Sequence, residues 1–213
     1  MRIKPEQLSN QLKKSLLPLY LITGDDSLLV QESCDVVRAA CREAGCTDRE
    51  ILHVDGKFNW DTLVATSSEM SLFAERKLIE LRLPSGKPGT EGSKGLQAYL
   101  ANPNPDNVLL IVAGKIDKQS TNSKWFKALD SAGGIVQIWP VDIQQLPRWI
   151  QGRLQKVGMT IDNDALQLLT DRVEGNLLAA AQEIEKLRLL SKGDHITAET
   201  VSETVADNAR YNL

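Results

Sequence analysis

The sequence predicts an α/β fold, a mainly parallel sheet with helices on both faces, followed by a small all-helical domain. Strand-like and helix-like segments alternate over the first two-thirds of the 213 residues. One of them, Val108–Val112, is wholly apolar, as expected of a central strand covered on both sides. After Pro140 the apolar spacing stays helical. We therefore predict an α/β domain over residues 1–140 and a helical domain over residues 141–213.

Within the first domain, short apolar runs bounded by turn residues predict the strands. These runs are Leu19–Thr23, Ile51–Val54, Lys77–Leu83, Val108–Val112 and Ile135–Trp139. Helical spacing predicts a helix from Ser27 to near Gly45, and others over 60–70 and 121–131. Lys77–Leu83 alternates polar and apolar residues, which predicts one solvent-facing side. Residues 84–95, rich in Gly, Pro, Ser and Lys, are predicted to form an exposed loop.

The second domain is predicted from its helix boundaries. Small polar residues stand where they can cap helices, and Pro147 falls in the first turns of the first helix. The boundary residues are Asp142, Asp162, Gly175-Asn176 and Thr197. They predict four short helices, of which residues 177–190 form the third.

Composition limits the class of protein. The chain has 42% hydrophobic and 25% charged residues, a net charge of −3 and a pI near 5.5. This balance is typical of a globular protein and lacks the basic footprint of a chain that coats nucleic acid by itself. No apolar run is long enough to span a membrane, and the amino terminus lacks a signal-peptide run. We therefore predict a cytoplasmic protein.

No pattern predicts a catalytic residue, a metal ligand or a cofactor. Cys34, Cys41 and Cys46 have a spacing that fits no zinc or disulfide motif, so buried reduced thiols are expected. His53 and His195 fall in different predicted domains, and neither is part of a thiol or carboxylate pattern typical of catalysis. Asp162 and Asp164 could pass for paired carboxylates, but a helix cap is the better interpretation.

The turn after the first predicted strand resembles a phosphate-binding loop only in position. That loop requires G-x-x-x-x-G-K-[ST], with backbone amides and a lysine on the phosphates. Counting from Gly24, the required Gly-Lys-[ST] positions hold Leu29, Val30 and Gln31. Asp25 and Asp26 would also repel a polyphosphate at a helix N-terminus. The layout of a nucleotide-binding fold is present without its functional groups.

The most informative segment for function is Met70–Lys77. It places Leu72 and Phe73 side by side at a junction between a helix and a strand. Adjacent helical residues point about 100° apart, so one buried face rarely covers both. Two interpretations remain open from the residues alone: an apolar staple under the sheet, or a plug presented to a pocket on a partner.

Four segments together resemble the delta subunit of the bacterial DNA polymerase III clamp loader, in order and over essentially the whole chain. They are Leu19–Glu32, Met70–Arg76, Leu146–Trp149 and Glu174–Ala179. The resemblance implies an AAA+-type fold whose subunit does not hydrolyse ATP. It also implies that Met70, Ser71, Leu72 and Phe73 bind the sliding clamp. For Glu75, Arg76 and Lys77 two interpretations stay open: a polar rim around the clamp-binding residues, or a solvated run of charges before a strand.

The resemblance further implies a function and its partners. The expected function is to bind the sliding clamp, the beta subunit, and open its ring for loading onto primed DNA. The chain itself is expected to have no catalytic activity within the polymerase III holoenzyme. The family has a C-terminal collar domain that assembles the loader, and this chain stops at Leu213 without one. The alternatives are a degenerate nucleotide-binding ATPase and a loader subunit that stabilises the ring.

Overall fold

The computed structural model describes residues 1–68, 76–191 and 193–203. The chain divides into two compact units, Met1–Trp139 and Pro140–Leu213. The described part of the first unit contains a six-stranded sheet in which every neighbouring pair is parallel, with strand order β1-β6-β2-β5-β4-β3. Its strands are β1 (Arg2–Ile3), β2 (Leu19–Gly24), β3 (Cys46–His53), β4 (Arg76–Leu83), β5 (Asn107–Ala113) and β6 (Gly134–Ile138).

Helices cover both faces of this sheet. They are α1 (Leu8–Lys14), α2 (Ser27–Glu43), α3 (Asp61–Ser68), α4 (Gly89–Ala101) and α5 (Lys124–Ala132). Side chains of the central strand β5 alternate between two cores. Leu109 and Ile111 pack in the core that contains α3, α4 and α5, while Val108 and Leu110 pack in the core of α1 and α2. Burial on both sides explains the wholly apolar run and confirms the predicted fold class.

The prediction that β4 has a solvent-facing side is wrong. Glu80, in the middle of the strand, is fully buried. Its carboxylate accepts bonds from Arg38 on α2 at 2.9 and 3.0 Å, from Arg49 on β3 at 2.7 Å and from Arg82 at 2.9 Å. The face of β4 that carries Glu80 is therefore covered at this residue by charged partners from α2 and β3, and only Arg82 keeps a partly exposed side chain there.

The predicted loop over residues 84–95 is also wrong in its second half, where α4 begins at Gly89. The glycines that suggested a loop instead make room for an aromatic ring. A Cβ on Gly92 would collide with the ring of Trp60, and one on Gly95 would lie 2.8 Å from the Cβ of Trp60. The glycines are thus needed for close packing of this helix on Trp60.

The second unit contains the predicted helices together with a short sheet that the sequence did not indicate. The helices are α6 (Leu146–Lys156), α7 (Asn163–Val173), α8 (Leu177–Leu190) and the residues 198–203. Two parallel strands, β7 (Thr160–Ile161) and β8 (His195–Ile196), pair with each other. Each has two residues, too short for strand periodicity to show in the sequence.

The predicted caps of this unit have different outcomes. Thr197 accepts a bond from a backbone N–H of the last helix, as predicted, whereas Asp142 caps a 3₁₀ helix over Ile143–Gln145 that precedes α6. Asn176, predicted only as a break between helices, accepts a bond from the N–H of Ala179 in α8.

Asp162 precedes α7 but its side chain makes no cap bond. Its Oδ1 lies 3.0 Å from Nε2 of His195, a contact that the sequence did not indicate. The pair joins β8 to the start of α7.

Two glycine substitutions in different helices should have opposite effects on stability. Gly92→Ala in α4 would crowd Trp60 and Pro88, and we expect a loss of about 1–3 kcal/mol in the free energy of unfolding. Gly152→Ala in α6 meets no described atom within 4 Å, so helix propensity should raise the free energy of unfolding by up to about 1 kcal/mol. Urea denaturation of both variants measures this. A shift of the same sign in both would contradict the packing argument.

Candidate functional site

The predicted clamp-binding residues Met70, Ser71, Leu72 and Phe73, and Glu75 of the predicted rim, lie in residues 69–75, outside the described residues. The structure describes both flanks of this segment. It follows the end of α3 at Ser68 and precedes the first residue of β4, Arg76. Since β4 pairs with β3 and β5 in parallel, Arg76 lies at the amino edge of the sheet, between those two neighbouring strands.

The end of α3 is held by side-chain hydrogen bonds. The carbonyl oxygen of Val64 accepts bonds from the hydroxyls of Ser67 and Ser68 at 2.8 and 3.0 Å. The carbonyl oxygen of Ser67 accepts bonds from the amides of Asn107 at 2.9 Å and Asn104 at 3.2 Å. Carbonyls in the last turn of a helix lack intrahelical partners, and the amides of Asn104 and Asn107 supply partners for that of Ser67.

The start of β4 is held by an ion pair. Lys77 is 7% exposed, and its Nζ lies 2.9 Å from Oε2 of Glu50 and 3.8 Å from Oδ2 of Asp48, both on β3. Arg76 is half-buried and donates to the carbonyl of Ala44 at 3.4 Å. Of the two described residues of the predicted rim, Lys77 is therefore buried as an anchor of the strand, and Arg76 is partly accessible.

These anchoring partners were not found by sequence reasoning. Asn104 stands in a proline-containing stretch before β5, and Asn107 is the first residue of β5; the sequence signals a turn here but not what these amides bind. Glu50 is 27 residues from Lys77, and the ion pair exists only because β3 and β4 are neighbours. No spacing rule connects them.

The carboxyl edge of the sheet is where doubly wound folds bind nucleotides, near the point where connections diverge to opposite faces. That point lies between β2 and β5 here. Asp26 accepts a bond from the backbone N–H of Leu29 at 2.8 Å, so a carboxylate of the chain takes the anion position at the start of α2. Asp25 pairs with Lys115 at 2.9 Å. These contacts oppose binding of a polyphosphate there.

The three cysteines are buried, as predicted. Burial raises the pKa of the Cys34 and Cys41 thiols to about 12, which keeps both in the unreactive thiol form. Across residues 1–68, 76–191 and 193–203, no group of three or more His, Cys, Asp or Glu side chains is placed to hold a metal ion. In those same ranges, no helix has both the length and the apolar character needed to cross a membrane.

Comparison with curated proteins shows relatives over nearly the whole chain. The chain is 34% identical over 210 residues to DNA polymerase III subunit delta of Escherichia coli K12, covering 99% of this chain and 61% of the relative. It is 29% identical over 213 residues to the delta subunit of Haemophilus influenzae, covering 99% and 62%. The chain thus spans about three-fifths of the length of the curated relatives it matches.

Solved structures show the same fold. A Bacillus subtilis DNA clamp loader delta protein superposes with a TM-score of 0.70 at 21% identity, covering 93% of this chain and 61% of that one. The Thermotoga maritima RuvB Holliday junction branch migration motor gives 0.54 at 14% identity, covering 94% and 68%. The fold is therefore AAA+-like, as expected.

Two family models match consecutive parts of the chain. One, described as a middle domain, matches residues 143–203. The other, described as DNA polymerase III, delta subunit, matches residues 20–138, more than half of the chain. The resemblance drawn from the sequence is confirmed, and this chain belongs to the family of DNA polymerase III delta subunits.

Proposed function

We propose that this chain is the part of a clamp-loader delta subunit that binds the sliding clamp and opens its ring for loading onto primed DNA. The observation that carries the proposal is the anchoring of the described residues on either side of segment 69–75, the segment that contains Leu72 and Phe73. Both of its flanks are anchored at the amino edge of a rigid sheet. Family membership supports the same assignment.

In this mechanism the two adjacent apolar side chains enter an apolar pocket on the clamp. Each contributes on the order of 1.5–3 kcal/mol when fully buried. Met70 and Ser71 flank them, and Glu75 and Arg76 supply polar contacts at the rim, the usual arrangement around buried anchors. Ring opening further requires that the chain bind the open clamp more tightly than the closed one, because equal affinity would shift no equilibrium.

In this mechanism the clamp-binding residues and the nucleotide position lie at opposite edges of the sheet. Strand β4 has eight residues, which places the amino and carboxyl edges of the sheet about 25 Å apart. Arg76, the first described residue after segment 69–75, lies at the amino edge, whereas Asp25 and Asp26 occupy the nucleotide position at the carboxyl edge. ATP would therefore act on neighbouring loader subunits, which assemble with the delta subunit through its collar domain. The contact with primed DNA would arise in that complex.

The direct test is clamp binding by a Leu72→Ser/Phe73→Ser double variant. Loss of two buried anchors should weaken binding of purified sliding clamp by at least about 100-fold. The matched control is Leu189→Ser/Leu190→Ser, since these adjacent leucines of the second unit are 67% and 57% exposed. Isothermal titration calorimetry gives the affinities, and circular dichroism checks that every variant is folded.

Equal clamp affinity in the folded double variant and the wild-type chain would show that the clamp-binding residues are not Leu72 and Phe73. Absence of binding by the wild-type chain would overturn the proposed function. An equal loss of affinity in the control would mean that added polar residues, rather than the lost anchors, weaken binding.

A further inference from the structure

Strand β3 forms one end of the six-stranded sheet, with β4 as its neighbour. It has eight residues, longer than the usual length of about five or six, and contains no proline. From Asp48 to His53 its register with β4 is continuous, after a shift between Cys46 and Asp48. In the described part of the sheet, its outer side is therefore a regular row of backbone groups with no neighbouring strand.

The backbone groups that point outward belong to Arg49, Ile51 and His53. The N–H of Val54, just after the strand, donates to the carbonyl of Arg82 on β4 at 2.9 Å. Alternate residues of a strand bond to the same neighbour, so the even-numbered residues here point towards β4 and the odd-numbered ones point away. Three successive outward residues thus offer N–H donors and C=O acceptors to an added strand.

The side chains of the same three residues share an exposed face. Leu52 packs in the core with α3, α4 and α5, so Arg49, Ile51 and His53 lie on the opposite side, towards α2. Helix α2 leaves part of that side open: Ile51 is 37% exposed and the side chain of Arg49 is 39% exposed. His53 is exposed as well. An apolar side chain and free backbone groups are accessible together at this edge.

The charge of this side is set by arginines. The buried Glu80 carboxylate binds Arg38, Arg49 and Arg82. Arg38 also pairs with Asp35, so three guanidinium groups meet two carboxylates in a chain of net charge −3. Within the described residues Arg82 contacts Glu80 through Nε alone, and its terminal nitrogens keep donors for a further acceptor. This side of β3 and β4, which we call the arginine face, is therefore complementary to carboxylates.

A second copy of this chain fits the edge poorly. In an antiparallel pair of two β3 strands the same faces adjoin, so the arginine face of one copy would continue into that of the other. On this face β3 itself carries no carboxylate, and on its other face it carries Asp48 and Glu50 but no cation. No register of such a pair brings opposite charges of the two strands together, and like charges across strands are unfavourable. Charge therefore favours a strand of different sequence with acidic side chains on one face.

We propose that the outer edge of β3 is a docking site for an extended acidic segment of a partner protein, which adds to the sheet as a further strand. Backbone bonds to Arg49, Ile51 and His53 hold the segment. Carboxylates at alternate positions of the segment meet the guanidinium groups of Arg49 and Arg82. None of these residues belongs to segment 69–75, and the inference does not depend on clamp binding.

The test uses two end-blocked, fluorescein-labelled peptides of about eight residues, the length of β3. One alternates threonine with glutamate, and the other alternates threonine with lysine. Fluorescence anisotropy with the full chain should show at least about 10-fold tighter binding of the glutamate peptide, because only its charges complement the arginine face. Oligothymidylate of similar length is a third probe, since it carries negative charge without a peptide backbone.

Two variants of the full chain test the backbone and the charge separately. Ile51→Pro removes an outward N–H at an edge position where proline is tolerated, and the glutamate peptide should bind at least about 10-fold more weakly. Arg49→Gln keeps a donor for Glu80 but loses the positive charge, and binding should weaken about 2- to 5-fold. The matched control is Arg188→Gln, which should not change binding, since Arg188 also pairs with a glutamate and its side chain is 44% exposed.

NMR of the wild-type chain locates the contact even if Ile51→Pro does not fold. Adding the glutamate peptide should slow hydrogen exchange at the amides of Arg49, Ile51 and His53, which point away from β4. The amides of Glu50 and Leu52 point towards β4 and should exchange at an unchanged rate. Slower exchange confined to other parts of the chain would overturn the proposal.

The other outcomes also decide the proposal. Equal affinity for the two peptides, or binding of neither, would overturn it, and so would unchanged affinity in a folded Ile51→Pro or Arg49→Gln variant. Tighter binding of oligothymidylate than of the glutamate peptide would assign the arginine face to nucleic acid instead. Self-association of the wild-type chain that Ile51→Pro abolishes, measured by analytical ultracentrifugation, would assign the edge to a second copy.

Discussion

Replacing Glu80 by alanine is expected to lower the free energy of unfolding by about 3–5 kcal/mol, because breaking a buried ion pair leaves its partner charge uncompensated. Glu80 has no exposed surface and accepts bonds from Arg38, Arg49 and Arg82. Arg38 has a side chain only 8% exposed and would lose its bidentate partner, retaining Asp35 at 2.6 Å. Guanidinium denaturation followed by circular dichroism measures the change.

The matched control for Glu80 is Glu185→Ala in α8. Glu185 also pairs with an arginine, Arg188, at 2.6 Å, but the two side chains are 53% and 44% exposed. Exposed pairs contribute about 0–1 kcal/mol, so this variant should be nearly as stable as wild type. If the two alanine variants had the same free energy of unfolding, burial of the Glu80 ion pairs would not be what stabilises the protein.

The stability lost in Glu80→Ala is expected to depend on pH. Burial alone would raise the pKa of Glu80, but hydrogen bonds from Arg38, Arg82 and Arg49 outweigh it and lower the pKa from 4.5 to about 2. A lowered pKa stabilises the folded protein above pH 4.5, and that contribution is lost as pH falls towards 2. The stability difference between wild type and Glu80→Ala should therefore shrink over this interval. A constant difference would contradict the assignment.

Leu169→Ala in α7 is expected to lower the free energy of unfolding by about 2–5 kcal/mol, because it leaves a cavity in the core of the second unit. Leu169 is completely buried, and its neighbour Leu168 is 46% exposed. Leu168→Ala is therefore the control, with an expected loss below about 1 kcal/mol. Differential scanning calorimetry of the full chain measures both. Similar losses would show that the helix face assigned to the core is wrong.

The sequence was sufficient for the fold class because periodicity is a local property. The apolar run Val108–Val112 is the central strand β5, and the change of period near Pro140 falls at the boundary between the two compact units. Thr197 predicted a helix start from its own chemistry. The family was also recognisable from the sequence, because four short segments resemble it in the same order along the chain.

Features that depend on a distant partner were not predictable in this way. Glu80 looked like a solvent-facing residue until α2 brought Arg38 to it from 42 residues away. Gly92 was assigned to a loop because glycine is common in loops. Its actual role is to make room for the ring of Trp60, which is distant in sequence. In both cases the prediction followed the usual behaviour of the residue type in an isolated segment. Packing against a distant residue gave it a different role.

The same contrast between local patterns and distant contacts holds for the candidate site. The sequence alone determined which residues are expected to bind the clamp, Leu72 and Phe73, because the motif is contiguous. Only the tertiary structure decided what anchors the segment that carries them. Glu50 reaches Thr66 and Lys77, and Asn107 reaches Ser67, because parallel pairing makes β3, β4 and β5 neighbours and brings these side chains together. Contacts between strands are set by sheet order, and no local pattern in the chain encodes sheet order.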